Sequence, residues 1–501
     1  MYKTSAQMSI SDFVFPYGNL DPNNRWVKLS ARIPWDEVDR TYAEKFVQNG
    51  APAHPSRMAL GALIAKQMLK VSDESLVWLV AENPYLQYFI GLKSFKKNCP
   101  FGASTMVAFR KRFSFEDIAQ INEWTLSGAP VGDESDDDSA DLSDGDNDND
   151  NSGGGRRVSG TAASGNKGTV ALDATVAPSD ITYPTDVGLL NEARVKLEAL
   201  IDDLCAQTGA KRPRTYREVA RRDFLCWSKL KKKSYKKTRQ AQRKQLSYVE
   251  RDLGYVFELV SCGVDLTDRQ EDLFKTIVAL YGQQRHMYDT KTNSVPDRIV
   301  SITQPWVRPI VRGKQKVKTE FGAKIHVSVV DGYARIETLS FDAYNEAEDF
   351  KRALRAYRKR YGYWPEAVLV DKLYRNRANR AFSKKLGIRM SGPPLGRPPK
   401  DVTVTAVQKR QEYLDSCDRN TIEGVFGTTK TAYGLDPVKA RLEGTSKTVI
   451  ALAILVFNLK KLLASSLCHF LDRILKSLSE LLLEKRGVGV IFKLPVSDYC
   501  W

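Results

Sequence analysis

An α/β fold is what the sequence predicts: a sheet-containing core interrupted by a helical insertion and preceded by an all-α region. Three observations predict it. Short apolar runs of strand character, Val170-Ala-Leu172 and Ala367-Val-Leu-Val370, each stop at an acidic residue, Asp173 and Asp371. Residues 187–290 between them show helical spacing and no strand pattern. Upstream, residues 1–127 carry helical periodicities alone.

At 501 residues the chain has room for two or three domains, and a hydrophobic content of 42% supports a substantial core. The net charge of +17 points to a polyanionic partner. Ten acidic residues lie between Asp133 and Asp150, so the rest of the chain carries +27. Seven cysteines without a Cys-x-x-Cys pair argue against a disulfide framework or structural zinc, and for a reducing compartment. Four dispersed histidines (His54, His286, His326, His469) suggest neither a zinc site nor a Ser-His-Asp site. No Gly-x4-Gly-Lys-Ser/Thr loop occurs, so no nucleotide cofactor is expected. The amino terminus lacks the layout of a signal peptide, and the apolar run Val449–Leu459 ends at Lys460-Lys461, too short to span a bilayer. A soluble cytoplasmic protein without membrane contact is expected.

Residues 1–127 read as a helical N-terminal domain for DNA binding or dimerisation. Met58, Leu60, Leu63, Ile64 and Met68 recur at helical spacing, Ser72-Asp-Glu-Ser75 opens a second helix, and Ser104-Thr105 a third that ends in Arg110-Lys-Arg112. Such helices suit a helix-turn-helix array on DNA, or a packing domain with a solvated basic end. Residues 128–165, acidic and then Gly/Ser-rich, have the composition of a disordered linker, whose aspartates lack the fixed geometry of a tight metal site. Residues 166–186 begin the core with the Asp173 strand and a helix start at Tyr183-Pro-Thr-Asp186. The basic insertion, 187–290, opens with the stripe Leu190, Ala193, Leu197, Leu200, Ile201 and Leu204. Between Lys211 and Lys244 it carries fifteen Lys or Arg against two acids, with Tyr216, Trp227 and Tyr235 interleaved. Lys231, Lys232, Lys233, Lys236 and Lys237 are its densest run. Cations among aromatics suit a phosphate-contacting surface; a solvated helical face is the plainer alternative.

Residues 291–461 complete the core. Strand pattern returns at Ile299-Val-Ser-Ile-Thr303 and Ala323–Val330, with a hairpin turn at Asp331-Gly332 into Ala334–Leu339. A helix from about Glu346 to Tyr361, the Asp371 strand, a basic helix from Tyr374 to Leu386 and a short strand at Ile388-Arg-Met390 follow. A loop rich in Pro and Gly (392–399) leads to the helix of Glu423. Leaving out the insertion, this order matches the ribonuclease H-like plan. In the C-terminal tail, 462–501, Leu471, Ile474, Leu475, Leu478, Leu481 and Leu482 run at helical spacing, as a core helix or a dimer seam.

A charge closing a buried strand is costly unless it is paired or metal-bound, though Asp173 and Asp371 could each instead cap a following helix. At about 100° per residue, Arg419, Glu423 and Lys430 fall within about 40° of one another on a helix, beside an apolar face of Ile422, Val425, Phe426 and Thr429. A solvated ion-pair ladder has a similar pattern; the adjoining apolar stripe and the strand-end acids favour a site. Two strand-end carboxylates and one from a helix suit a pair of divalent metals acting on phosphodiesters. Asp180 and Asp186 read as turn or helix-start residues, and Asp331 as solvated.

In these motifs the chain resembles the DDE transposases of bacterial insertion sequences, in the group whose third motif is Tyr-x2-Arg-x3-Glu-x6-Lys. Arg419, Glu423 and Lys430 match that spacing, while Ser416 stands at the Tyr position, where relatives make a stacking or DNA-end contact. The segments around Asp173 and Asp371 look like the first two motifs, and residues 33–113 like the helical N-terminal region. The resemblance covers most of the chain outside the acidic linker and the last few dozen residues. It implies a transposase that binds terminal inverted repeats and catalyses metal-dependent strand cleavage and strand transfer. Asp173, Asp371 and Glu423 would be the catalytic residues and the ligands of two Mg2+ ions, with Mn2+ able to substitute, about 3.5–4 Å apart in sites of this kind. Arg419 and Lys430 would neutralise flanking phosphates. Double-stranded DNA, as transposon ends and target, is the implied partner, with a homodimer forming on it in the bacterial cytoplasm at the nucleoid. Two alternatives stay open: a catalytically inactive DNA-binding descendant, which Ser416 favours and the three acids oppose, and a metal-dependent nuclease that never joins ends.

Overall fold

The computed structural model describes residues 8–16, 18–46, 53–127, 165–311, 319–393 and 402–486, and their side chains except at 402–405 and 465–486. Most of the expected linker, most of the Pro/Gly loop and the side chains of the C-terminal leucines lie outside the described residues.

Seven helices of the N-terminal region pack around one of their number: α1 (Arg25–Ser30), α2 (Trp35–Ala43), α3 (Ser56–Leu69), α4 (Asp73–Glu82), α5 (Pro84–Phe89), α6 (Thr105–Arg112) and α7 (Phe115–Ser127). Side-chain caps start several of them: Asn24 accepts from Trp26 N, Ser72 from Ser75 N, and Asn83 from Tyr85 N ahead of Pro84. The predicted stripe on α3 is part of a helix buried on all sides from Ser56 to Ala65, which makes α3 the centre of the bundle. Arg57 is tolerated there because it donates to Ser30 Oγ and to the Tyr88 and Phe89 carbonyls, with Trp35 stacked at 5.1 Å.

Strand β1 (Thr169–Pro178) leads into four helices, α8 (Asp186–Thr208), α9 (Arg217–Ser228), α10 (Tyr235–Ser261) and α11 (Asp268–Thr290). These hold their own core, built from Leu190, Leu197 and Ile201 of α8, Leu246 and Val249 of α10, and Ile277 and Leu280 of α11. Asp186 fixes their base, accepting from Gln242, Gln284 and Arg298. The chain then forms β2 (Arg308–Val311), β3 (Thr319–Val330), β4 (Tyr333–Ser340), α12 (Phe350–Tyr361), β5 (Ala367–Leu369), α13 (Arg377–Lys385), β6 (Arg389–Met390), α14 (Val402–Ala432) and α15 (Glu443–Arg486).

The sheet is mixed. β3 pairs antiparallel with β1 along one edge and with β2 and β4 along the other; β1, β5 and β6 are parallel neighbours in that order. The β3–β4 turn has positive φ at both Asp331 (53°) and Gly332 (77°), as a two-residue hairpin with Asp-Gly requires. Alternation along β1 sends Val170 and Leu172 to a core with Phe350, Leu354 and Tyr357 of α12. Ala171 and Ala177 face the other way, onto the core shared with α14, α15 and the N-terminal bundle. That second core is reinforced by polar contacts. Asn458 of α15 joins Asn122 of α7 to both backbone groups of Ala334 on β4, and Glu123 pairs with Arg335 and Arg360.

Four expectations need correction here. Ile299-Val-Ser-Ile-Thr303 is irregular rather than a strand: Ile299 and Ile302 enter the insertion's core while Val300 enters that of the sheet, so the segment spans two cores. The helix expected from Glu346 starts at Phe350, after turns at 346–349. Tyr374 belongs to a 3-10 turn, Lys372–Tyr374, and α13 starts afresh at Arg377 under an Asn376 cap. α15 runs unbroken past position 461.

Candidate active site and nucleic-acid interface

Register places the first two acids. Thr169, Val170 and Ala171 of β1 pair with Ala367, Val368 and Leu369 of β5. Two residues further along each chain come Asp173 and Asp371, which lie level on neighbouring parallel chains whose spacing is about 4.8 Å. Asp371 follows the end of β5, whereas Asp173 is in the middle of β1, which continues to Pro178 against β3, so the expected strand end at Asp173 is corrected. Asp173 shares the face of Ala171, toward which α14 packs through Ile422, Val425 and Phe426. α14 thereby brings Arg419 and Glu423 over these two acids. Arg419 lies between two acids, Nη1 3.9 Å from Asp371 Oδ1 and Nη2 3.8 Å from Glu423 Oε1.

The three carboxyls are not equivalent. Asp371 and Glu423 are about half exposed, with 52% and 60% of the side chain open. Asp371 also accepts from Lys372 N at 2.5 Å, the cap foreseen as an alternative to a ligand role. Asp173 is largely enclosed, and burial pushes its carboxyl up to about 6. The Ala174 amide, donating to Oδ1 at 2.8 Å, opposes that shift; Glu346 and Asp371 add to it and Arg419 reduces it. A reluctant carboxylate beside other acids fits a site completed by a cation, and the hard oxygen donors suit a divalent one. Among the described residues, however, no three His, Cys, Asp or Glu side chains converge closely enough to hold an ion as they stand.

Sequence reasoning missed the surroundings of these acids. Glu346, ahead of α12, pairs with Lys324 at 3.0 Å and is the strongest charged influence on Asp173. His326 lies opposite Ala174 on β3, fully buried and stacked on Tyr374 of the Asp371 turn at 5.7 Å. Burial lowers it to about 4, so the ring is neutral near pH 7. Its dispersed position in the sequence gave no signal; only strand pairing brings it beneath the acids.

The basic residues divide into two kinds. Within the insertion, Arg217 holds Asp202 in a two-pronged pair (2.6 and 2.7 Å) and Lys244 holds Asp223 (2.9 Å); at its base, just outside it, Arg298 holds Asp186 (2.6 Å). Lys231, Lys232, Lys233, Lys236 and Lys237, at the α9–α10 corner, are exposed and have no ion pair among the described residues. Lys233 lies 4.3 Å from the Trp227 ring centre. The basic end of α6 is of the first kind. Arg110 grips Asp73 at 2.7 and 3.0 Å, and Arg112 donates to Tyr42 Oη, so this end works largely inside the bundle. Lys430 is away from the acids, in the wall of a cavity of about 530 Å³ between α3 and the end of α14. Ser416 is exposed, next to Asp415, which clamps Arg389 at 2.5 and 2.9 Å.

Comparison with known proteins gives this arrangement a family. Residues 368–460 match the family model described as a transposase DDE domain, and residues 16–112 one described as a transposase domain (DUF772). The chain belongs to the DDE transposases of insertion sequences. A Rhizobium meliloti protein named "Uncharacterized protein ORF8 in nfe locus" is 28% identical over 174 residues, 35% of this transposase and 71% of that protein. No solved structure matches. The DDE match takes in Asp371, Arg419, Glu423 and Lys430 of the transposase, while Asp173 lies upstream of it. The family implies a DNA substrate and a divalent-metal enzyme. Among the described residues no helix is long and apolar enough to cross a membrane.

Proposed function

We propose that this transposase binds the terminal inverted repeats of an insertion sequence and cleaves and joins DNA strands at them. The observation that carries the reading is Arg419 held between Asp371 and Glu423, with Asp173 level with Asp371 on the next strand. The core is of the ribonuclease H-like kind, a reading supported by the strand order β4-β3-β1-β5-β6, antiparallel up to β1 and parallel beyond it. Residues 187–290 are its insertion, residues 1–127 a helical N-terminal domain whose core is shared with the sheet, residues 128–165 the linker, and residues 462–501 a tail that begins as the continuation of α15.

Asp173, Asp371 and Glu423 are the residues that would hold Mg2+, or Mn2+ in its place. Bound there, a pair of ions supplies Lewis acidity to the attacking water or 3′-hydroxyl and to the leaving oxygen. Arg419 sets the spacing of Asp371 and Glu423 and offers its remaining N–H donors to a phosphate. The lysines of the α9–α10 corner position DNA through its backbone rather than its bases. Processing paired ends requires two protomers on the DNA, and no step requires a nucleotide cofactor. The bacterial cytoplasm, at the nucleoid, is where such an enzyme meets its substrate.

The test is Mg2+-dependent cleavage of labelled DNA carrying the element's own ends, comparing the wild type with Glu423→Gln. Nicking at the end that is lost in the variant supports the reading. Tight binding without cleavage by either protein replaces it with that of a DNA-binding descendant.

A further inference from the structure

The cavity that contains Lys430 has two sources. One wall is the C-terminal end of α3 with the start of α4; the other is the end of α14 and the loop that follows it. Direct bonds join the walls: Gln67 donates to the Tyr433 carbonyl, and Lys70 Nζ donates to the Thr431 carbonyl. At Gly434, where φ is +69°, a Cβ would meet Gln67 Nε2 at 3.3 Å, so the turn that ends α14 is shaped against α3.

The lining is strongly cationic. Lys66 and Arg110 both pair with Asp73, whose single charge offsets one of the two. Lys70 and Lys439, both exposed, have no ion pair among the described residues, and they flank Lys430. Asp436 is the other acid in the lining. Tyr433, its one aromatic residue, is only 3% exposed, so no ring is presented on which a base could stack. A cationic cleft of about 530 Å³ without a stacking surface suits phosphates linked in a chain better than a free nucleotide. Along α14, Lys430 lies seven residues beyond Glu423, about 10 Å at 1.5 Å per residue.

We propose that Lys70 of the N-terminal bundle and Lys439 of the loop after α14 form, with Lys430, a composite site for the phosphodiester backbone of the DNA strand leading away from the acids. This rests on the transposase reading and deepens it. The N-terminal bundle then builds part of the cleft beside the catalytic helix, and DNA bound there holds α3 and α14 together.

The experiment measures binding of a fluorescent 30-base-pair duplex of arbitrary sequence by anisotropy, across a range of salt concentrations. Five full-length proteins are compared: wild type, Lys70→Gln/Lys439→Gln, its charge-keeping counterpart Lys70→Arg/Lys439→Arg, the insertion variant Lys231→Gln/Lys232→Gln/Lys233→Gln, and a charge-matched control, Lys28→Gln/Lys93→Gln, at exposed lysines outside the cleft. Loss of two phosphate contacts lowers the slope of log K against log salt by about 1.8. The cleft variant is expected to show that drop and the control to keep the wild-type slope. Lys70→Arg/Lys439→Arg, which keeps the charge, is expected to restore the slope and guards against a folding defect. A cleft variant with the wild-type slope overturns the proposal, as does a control that falls equally. If the insertion variant alone weakens binding, the cleft assignment fails and the transposase reading stands. If the wild type itself shows no salt-dependent binding, both fail.

Discussion

The acids on β1 and after β5 and the lysines of the α9–α10 corner both leave charge unmatched among the described residues, and they do so with opposite sign. On the sheet, Asp173 and Asp371, with Glu423 of α14, share one guanidinium, that of Arg419. At the corner five lysines are exposed without an ion pair among the described residues. Elsewhere in the insertion, several basic side chains are matched to carboxylates, as Arg217 is to Asp202. Total charge therefore says less than residual charge. What the fold leaves unneutralised points to a cation at one region and a polyanion at the other.

The largest effect that would break this contrast is at these acids. Asp371→Ala is expected to reduce strand cleavage and transfer by at least about 1,000-fold, since loss of an outer-shell partner of a metal site alone costs 10- to 100-fold. DNA binding should hardly change, because the affinity is carried by the lysines. Gel-resolved cleavage and joining of end-containing DNA, with binding measured on the same preparations, checks both halves. Full strand transfer by this variant would end the assignment. Next in size is the corner: changing Lys231, Lys232, Lys233, Lys236 and Lys237 together to Gln should weaken binding most at low salt. Each lost phosphate contact lowers the salt slope by about 0.9. A slope unchanged by all five substitutions would return the corner to an ordinary solvated face.

Much of this was legible in the sequence, and the reasons differ by element. The apolar runs before Asp173 and Asp371 mark strands and the Asp331-Gly332 turn has a pair of residues suited to positive φ, so local chemistry identifies them. Only the Asp371 strand stops at its acid, however, while β1 continues past Asp173 to Pro178 in its pairing with β3. The helix of Arg419 and Glu423 was legible from its spacing. The stretch 299–303 misled because its alternating apolar residues are shared between two cores, which imitates the pattern of a half-buried strand. Glu346 and His326 carry no local signal at all; strand pairing and the turns before α12 bring them to Asp173. The partition of the cations was equally hidden. Arg110 and Lys231 both read as basic-cluster residues, and only the position of Asp73 separates a structural cation from an available one.

The smallest effect tests the comparison from inside the insertion, where Asp252 matches Asp173 in one respect. Burial lifts Asp252 from its ordinary value of 3.8 to about 6, as burial does for Asp173. A raised carboxyl alone therefore does not mark a site. The neighbours differ. Asp173 has no hydrogen bond from a cation among the described residues and is raised further by Glu346 and Asp371, whereas Asp252, fully buried on α10 and raised by Glu198, accepts from Arg251 at 3.1 and 3.3 Å through Oδ1. The folded state holds the Asp252 proton more tightly than the unfolded chain does. Its contribution to stability is thus fully present below about pH 4 and is lost as the pH rises through 6. Asp252→Asn keeps an acceptor for Arg251 and removes the buried charge. It should therefore stabilise the insertion at pH 7.5 by about 2 kcal/mol, allowing for the lost ion pair. Hydrogen exchange across Leu246–Val256 should slow about 30-fold at that pH, and the difference should close near pH 4. Faster exchange in the variant at pH 7.5 would mean that the pair with Arg251 outweighs burial. Asp252 would then be a satisfied ion-pair partner, and its likeness to Asp173 would end at the direction of the shift.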